Sequence, residues 1–151
     1  MEALVRKLQT DFPAFTFRAG PRFRWAADHQ EIIYKLDNDI RNTWGILHEL
    51  GHALRGHHDY HTDVELLRKE VEAWAEAESL SAQYGVTIDA EHIQGCLDSY
   101  RDWLHKRSTC PQCALRGVQD DAKRYVCLNC KATWVVSSAR FCRAYRRSQA
   151  T

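Results

Sequence analysis

Residues 39–56 have the sequence DIRNTWGILHELGHALRG, and this stretch decides the fold of the first part of the chain. Its apolar residues recur every three to four positions, which is the spacing of one helix face. Asp37 or Asn38 can cap the N-terminus of such a helix, and Gly56 stands where helices commonly end. The sequence therefore predicts a helix over residues 39–55, with an apolar side formed by Trp44, Ile46, Leu47, Leu50 and Leu54.

Within this helix, His48, Glu49 and His52 form an HExxH sequence. Residues four apart lie on one helix face, so both imidazoles can bind one metal ion while Glu49 stands beside the open coordination position. Zinc accepts imidazole nitrogen and carboxylate oxygen, and a catalytic zinc site leaves one position for water. The motif predicts a catalytic zinc with His48 and His52 as ligands and Glu49 as the general base.

A catalytic zinc needs a third protein ligand, and the sequence offers two candidates. His58 lies six residues after His52, as in the metzincin pattern HExxHxxGxxH. That pattern requires Gly where this chain has Arg55, and it requires a downstream Met, whereas the only Met is Met1. The other candidate is Glu70, in the helical segment RKEVEAWAEAESL (68–80).

A helical wheel separates Glu70 from Glu72, because two positions on a helix are about 200° apart. Glu72 shares its face with polar residues and is predicted to be solvated. The face of Glu70 carries Leu66, Leu67, Ala73, Trp74, Ala77, Leu80 and Tyr84. A carboxylate on such a face needs a metal or a cation as its partner. Glu70 is the favoured third ligand, and an ion pair with a cation such as Arg41 is the alternative.

The segments around the HExxH helix complete an α+β pattern. Residues 15–36 alternate and are rich in aromatics, which predicts three short strands, and residues 64–84 and 89–105 predict two further helices. We expect EIIYK (31–35) to be an edge strand to which a substrate chain adds. The predicted organisation is a small zincin-like metallopeptidase domain over residues 1–107, a four-Cys zinc ribbon over 108–136 and a basic Arg-rich tail over 137–151.

Two CxxC pairs, CPQC (110–113) and CLNC (127–130), are separated by 13 residues, a spacing typical of zinc ribbons. Four thiolates make a closed structural site, whose metal supplies much of the folding free energy of so short a segment. The predicted ligands are Cys110, Cys113, Cys127 and Cys130, so we expect two Zn²⁺ ions per chain, one catalytic and one structural. The alternative is a redox role for the two CxxC pairs. Cys96, which lies outside these pairs, is expected to be a small core residue.

The net charge of +1 hides two regions of opposite sign. Residues 1–104 contain eleven Lys and Arg against eighteen acids, whereas residues 105–151 contain ten against two. Tyr125 and Trp134 lie among these cations and are expected to be exposed, and Phe141 and Tyr145 lie between the Arg residues of the tail. This combination suits phosphate contact with base stacking. The predicted nucleic-acid contacts are Arg116, Lys123, Arg124, Lys131, Trp134, Arg140, Arg143, Arg146 and Arg147. Docking on a partner protein is the alternative.

The composition excludes several classes of protein. With 27% charged residues and 11% aromatics among 151 residues, the chain is neither disordered nor collagenous. No apolar run approaches the ~18 residues of a membrane span, and the first thirty residues lack the pattern of a signal peptide. We therefore expect a cytoplasmic protein without membrane contact, in which the six Cys indicate metal binding rather than disulfides.

The segments HELGHALRGH (48–57) and EVEAWAEAESL (70–80) resemble the ImmA/IrrE family of zinc metallopeptidases, over roughly residues 1–85. The resemblance implies that Glu70 is the third zinc ligand and that the chain cleaves a transcriptional repressor or another DNA-bound protein. Proteins of this family are common on phages and mobile elements. In amide hydrolysis, Glu49 takes a proton from water and delivers it to the leaving amine. Candidate oxyanion or substrate contacts are His57, His58, Tyr60 and His61, unless this loop is simply solvated.

Two other functions fit the sequence. SprT-like proteases also join a zincin domain to a C-terminal zinc ribbon and act on DNA-bound proteins. They generally take the third ligand from a later His, and His92 and His105 are weakly placed for that here. The other alternative is a non-catalytic module that binds nucleic acid or protein on a zincin scaffold. Glu49 argues against it, because a site without catalysis does not need a general base.

Overall fold

The computed structural model describes residues 1–37, 39–121 and 123–137, and the backbone of residues 146–148. The chain forms two compact units, one of Met1–Asp59 with Lys69–Ile93 and the other of Tyr60–Arg68 with Gln94–Thr151. We call them unit 1 and unit 2. One boundary between them follows Asp59, in a loop, and the other two follow Arg68 and Ile93, inside two long helices. The predicted domain boundaries instead follow residues 107 and 136.

Unit 1 contains a three-stranded sheet with helices, which confirms the predicted α+β class. Its first elements are α1 (Glu2–Asp11), β1 (Thr16–Ala19), β2 (Arg24–Ala26), β3 (Glu31–Tyr34) and α2 (Ile40–Leu54). The strand order is β1-β3-β2, with β1 parallel and β2 antiparallel to β3. The prediction that residues 31–35 form an edge strand is therefore wrong, because β3 is paired on both sides. The edges are β1 and β2.

Helix α2 begins and ends close to the predicted positions. Its N-cap is Asp39, whose carboxylate accepts a hydrogen bond from the Arg41 backbone N–H, and Asp37 in turn accepts from the Asp39 N–H. The predicted cap at Asp37 or Asn38 is thus shifted to Asp39, and Asn38 lies outside the described residues. Gly56 follows α2 with φ +61°, the left-handed conformation that commonly ends a helix and turns the chain.

Two longer helices follow, α3 (Asp63–Ser81) and α4 (Ala90–Ser108), and each contributes residues to both units. Within unit 1, the side of α3 that carries Glu70 is buried, as the wheel predicted; its members are Glu70, Ala73, Trp74, Ala77 and Leu80. Gly51 of α2 lies against the α3 backbone, and a Cβ there would stand 2.3 Å from the Ala73 carbonyl oxygen. The small residue lets the two helices approach closely.

Unit 2 contains a four-stranded antiparallel sheet in the order β4-β5-β6-β7. The strands are β4 (Gly117–Asp121), β5 (Arg124–Cys127), β6 (Thr133–Val136) and β7 (Arg146–Ser148). Tyr125 and Trp134 are register partners on β5 and β6, and their rings stack with centroids 5.6 Å apart. Both are buried, at 1% and 0% exposure, so the prediction that they are exposed is wrong. Because alternate strand residues share a face, this pair forms the core of the sheet.

A buried polar network ties the start of α3 and the end of α4 to this sheet, all within unit 2. Asp63, at 1% exposure, accepts hydrogen bonds from Arg107 Nε at 2.6 Å and from the Tyr125 hydroxyl at 2.6 Å. The Trp134 indole N–H donates to the Arg107 carbonyl at 2.9 Å. Arg107 also contacts the Ser137 carbonyl. The network leaves both buried charges with partners, as burial requires.

Among the described residues, none of the helices combines the length and the apolar character that a membrane crossing needs. The cytoplasmic location stays a prediction.

Candidate metal centres

His48 and His52 on α2 and Glu70 on α3 bring their ligand atoms within 4.8 Å of one another. His48 Nε2 lies 3.2 Å from His52 Nε2 and 3.2 Å from a Glu70 carboxylate oxygen. His52 Nε2 lies 3.6 Å from the other oxygen of Glu70. All three side chains are largely buried. We call this group the first metal site.

The geometry of this group fits zinc. Ligands on a tetrahedral zinc with bonds of 2.0–2.1 Å are separated by about 3.3 Å, which matches the distances among the three side chains. Two imidazoles and one carboxylate are also the donor set of many catalytic zinc sites. His48, His52 and Glu70 can therefore hold a zinc ion, as the sequence predicted.

The surroundings favour Glu70 as an ionised ligand. Burial raises the pKa of Glu70, but hydrogen bonds with His48 and His52 outweigh burial and hold it well below its usual range. The carboxylate's partners are these two imidazoles, so the alternative pairing with Arg41 is not what the structure shows. The other candidate ligand, His58, is exposed, and the described group does not include it.

Glu49 follows His48 on α2 and has the properties of a proton carrier. Burial raises the pKa of its carboxyl, and the charges of His48 and His52 oppose this only in part. The backbone N–H of Trp25, on β2, also lowers this pKa, by less than either imidazole does. A carboxyl with a raised pKa beside a metal site suits general acid–base catalysis at neutral pH.

Aromatic side chains pack around His48. The Trp74 ring stacks on the imidazole with centroids 4.2 Å apart and planes 29° apart. His92 lies against both Trp74 and Trp44, at 5.7 and 4.8 Å between centroids. His48 Nδ1 is buried without a hydrogen-bond partner among the described residues. Packing, rather than a polar partner, thus orients this ligand.

Of the candidate contact residues in the loop after α2, His57 is buried and has partners for both of its ring nitrogens. His57 is 7% exposed, and its Nδ1 lies 2.9 Å from His52 Nδ1 while its Nε2 lies 3.1 Å from a Glu72 oxygen. Both ring nitrogens are therefore engaged, which leaves His57 no free donor for an oxyanion. Glu72 is a partner of this imidazole rather than a fully solvated carboxylate. The signal for this contact in the sequence is Gly56, whose turn after α2 directs the next residue back toward His52.

The other loop candidates stay predictions. His58 and Tyr60 are exposed, and the backbone N–H of His61 donates to a Glu65 oxygen at 2.9 Å. His58 belongs to unit 1, whereas Tyr60 and His61 belong to unit 2.

Cys110, Cys113, Cys127 and Cys130 form a second ligand group, with all four sulfurs within 4.8 Å of one another. The Sγ atoms of Cys110 and Cys130 are 3.6 Å apart, and those of Cys113 and Cys127 are 3.5 Å apart. Four sulfurs bound at 2.3 Å to a tetrahedral zinc are about 3.8 Å apart, so the cluster is compatible with a structural zinc. The positions of the four sulfurs agree with the predicted ligand set.

The two CxxC turns have the same backbone conformation. Ala114 and Lys131 each follow the second Cys of a pair and have φ values of 59° and 61°. Their N–H groups donate to the carbonyls of Cys110 and Cys127, both at 3.0 Å. A backbone N–H from Leu115 lowers the pKa of the Cys113 thiol, which favours the thiolate that zinc binds. Two equivalent knuckles therefore face one metal position.

The predicted nucleic-acid contacts are only partly described. Arg116, Lys123, Arg124 and Lys131 are exposed, although Arg116 contacts His105 and Arg124 pairs with Asp120 at 2.9 Å. Trp134 is buried, so the prediction that it contacts a base is wrong. Arg140, Phe141, Cys142, Arg143 and Tyr145, and the side chains of Arg146 and Arg147, lie outside the described residues.

Comparisons with protein-family models, with curated proteins and with solved structures find no match for this chain. Its described residues form an α+β protein with two groups of side chains that can bind metal, one of His and Glu and one of four Cys.

Proposed function

We propose that the chain is a zinc-dependent metallopeptidase of the ImmA/IrrE type with a zincin-like first domain, and that it cleaves a regulatory or DNA-bound protein. One observation carries the proposal: His48, His52 and Glu70 converge at ligand distances beside Glu49, whose burial raises its pKa. This combination supplies both a zinc-binding set and a proton carrier. A structural metal site alone would not need Glu49.

The chemistry follows from the position of each side chain. His48, His52 and Glu70 would hold the zinc ion, which when bound would supply Lewis-acid chemistry to a water molecule and to the scissile carbonyl. Glu49 accepts a proton at its carboxylate and later delivers it to the leaving amine. The Trp25 N–H favours the ionised form of Glu49, because it lowers the pKa of this carboxyl.

The same contact supports an extended substrate next to β2. This strand is an edge of the sheet, and the Trp25 N–H is close enough to Glu49 to lower the pKa of its carboxyl. An extended peptide that adds to β2 would thus run past the general base. We propose β2, in place of β3, as the strand that receives the substrate.

The exposed cations of unit 2 support a second part of the proposal, that the ribbon recruits the enzyme to DNA or to a DNA-bound partner. Lys123 and Lys131 are exposed in the described part of the sheet and its knuckles. The alternative SprT-like assignment receives less support, because its later-His ligand has no match here: His92 packs on two Trp rings and His105 contacts Arg116. Neither is in the first metal site.

The test is the substitution Glu49→Gln, which removes the proton-accepting charge but preserves the size of the side chain. Cells that express the wild-type or variant chain would be compared by sequencing the N-termini of their proteins. We expect new N-termini with the wild type and a loss of at least 100-fold with the variant, while both purified chains contain two zinc ions. Glu78→Gln, at an exposed position of α3, is the matched control.

Two results would contradict the proposal. The first is that the Glu49→Gln chain produces the same new N-termini as the wild type, which would exclude Glu49 as the base. The second is a purified wild-type chain with one zinc that is retained after His48→Ala and His52→Ala. That result would leave only the four-Cys site and would favour a non-catalytic binding module.

A further inference from the structure

His52 has a polar partner on the side of its ring away from the first metal site. Its Nδ1 lies 2.9 Å from Nδ1 of His57, and Nε2 of His57 lies 3.1 Å from a Glu72 oxygen. His57 is 7% exposed, and all three residues belong to unit 1. The side chains form a line that runs from Glu72 through His57 to His52 and ends at Glu70.

The backbone holds His57 in this line. Its N–H donates to the His52 carbonyl at 3.0 Å, and its carbonyl accepts the Trp25 indole N–H at 2.8 Å. The next two carbonyls, of His58 and Asp59, accept Lys69 Nζ at 3.2 and 2.6 Å. Bonds from β2, α2 and α3 thus position the imidazole before any metal binds.

Hydrogen-bond chemistry then assigns the ring protons. A neutral imidazole has one donor nitrogen and one acceptor nitrogen. The Glu72 carboxylate only accepts, so the proton of His57 is on Nε2, and its Nδ1 is an acceptor. His52 Nδ1 must then be the donor, because two acceptors would not approach to 2.9 Å. The lone pair of His52 is left on Nε2, which faces Glu70.

We propose that Glu72 and His57 are positioning residues that hold His52 in the tautomer whose Nε2 can bind metal. Partners of this kind commonly fix the orientation of a ligating imidazole and raise its basicity. The arrangement is specific to His52, because Trp74 orients His48 by stacking. The role in metal binding rests on the proposed function, whereas the assignment of the protons does not.

The first experiment determines the tautomers directly. Nitrogen-15 NMR of the imidazoles in the full chain, with the first site stripped by a chelator and the four-Cys site loaded, reports which nitrogen carries each proton. We expect the proton of His57 on Nε2 and that of His52 on Nδ1. The proposal is overturned if His57 carries its proton on Nδ1, or if His52 carries its proton on Nε2.

The second experiment measures metal affinity with Co²⁺, whose visible spectrum separates thiolate ligands from imidazole and carboxylate ligands. His57→Leu removes the acceptor, and we expect the affinity of the first site to fall 10–100-fold. His57→Asn places an amide oxygen near the former Nδ1, and we expect it to restore most of that loss. The matched control is His29→Ala, at an exposed position of unit 1, which should leave the affinity unchanged.

If His57→Leu does not fold, a variant of Glu72, which is partly exposed, provides a second test. Glu72→Leu frees His57 to adopt either tautomer, and we expect a smaller fall in affinity and a mixture of tautomers in the NMR spectrum. Glu78→Leu on the same helix is its control. Wild-type affinity in folded His57→Leu or Glu72→Leu would overturn the proposal. A wild-type chain whose first site binds no Co²⁺ would instead reject the proposed function, and the tautomers would still be readable.

Discussion

The distance between α2 and α3 depends on one residue, Gly51. A Cβ at this position would lie 2.3 Å from the Ala73 carbonyl oxygen and 3.2 Å from its Cα. These are backbone atoms of α3, which cannot move without moving the helix. His48 and His52 flank Gly51 on α2, and Glu70 precedes Ala73 by about one turn on α3. The residue therefore controls how closely the ligands from the two helices approach.

We expect Gly51→Ala to destabilise the chain by about 1–3 kcal/mol, the usual cost of overpacking a core. The same displacement should weaken zinc binding at the first site, because Glu70 would move away from both imidazoles. Thermal unfolding and zinc affinity measure the two effects.

The control for this substitution is Gly95→Ala, at an exposed position of α4 where an added Cβ meets nothing within 4 Å. There the change should stabilise the chain by about 0.5–1 kcal/mol, since Ala is the better helix former. A Gly51→Ala chain with wild-type stability and zinc affinity would show that α2 and α3 tolerate separation.

At the scale of secondary-structure elements, unit 2 depends on the charge of Asp63. This residue opens α3, and its carboxylate accepts from Arg107 at the end of α4 and from Tyr125 on β5. Burial and the hydrogen bond to Asp63 raise the pKa of Tyr125, so the phenol stays a donor at neutral and mildly alkaline pH. One carboxylate thereby joins two helices and a strand.

We expect Asp63→Asn to destabilise unit 2 by about 3–5 kcal/mol, because it leaves the buried Arg107 charge without its counter-ion. Denaturant unfolding of the full chain, followed by Trp fluorescence, measures the loss. Asp120→Asn is the matched control: Asp120 pairs with Arg124 at the surface, and such pairs contribute about 0–1 kcal/mol. Equal effects of the two substitutions would contradict the structural role of Asp63.

At the scale of the whole molecule, the charges are unevenly distributed along the chain. Residues 105–151 contain ten of the 21 Lys and Arg but only two of the 20 acids. Arg107 is buried and therefore cannot contact a phosphate. Tyr125 and Trp134, the described aromatic residues of this region, are buried and stack on each other, so they cannot stack on bases. DNA binding by the described residues of this region would therefore depend on exposed cations and not on the stacking of bases on aromatic side chains.

We expect the full chain to bind duplex DNA with an affinity that falls steeply as salt increases. In the double variant Lys123→Gln/Lys131→Gln, the slope of log affinity against log salt should become less steep by about one for each lysine removed. Lys35→Gln, an exposed lysine of unit 1, should leave the slope unchanged. A flat salt response of the wild type would reject phosphate contact and favour docking on a protein.

Much of this protein was predictable from local patterns. The α+β class, the helix with HELGH, the inward face of Glu70 and the set of four Cys follow from periodicity and spacing, because each depends on residues close together in the chain. The helical wheel predicts that Glu70 is buried and that Glu72 lies on the opposite face, because this difference depends only on positions along one helix. It could not identify the partner of Glu72, which lies in another segment.

The features that only the tertiary structure decided all join distant segments. β3 lies at the centre of its sheet, His57 turns back between His52 and Glu72, and Tyr125 packs on Trp134 inside unit 2. A strand's sequence does not state how many neighbours it has, and an aromatic residue among cations has the same pattern whether it is buried or exposed. Local spacing predicts His48, His52 and the four Cys as ligands, whereas the contact between α2 and α3 selects Glu70 over His58. Long-range packing determined which others hold those side chains in place, because such contacts leave no regular spacing in the chain.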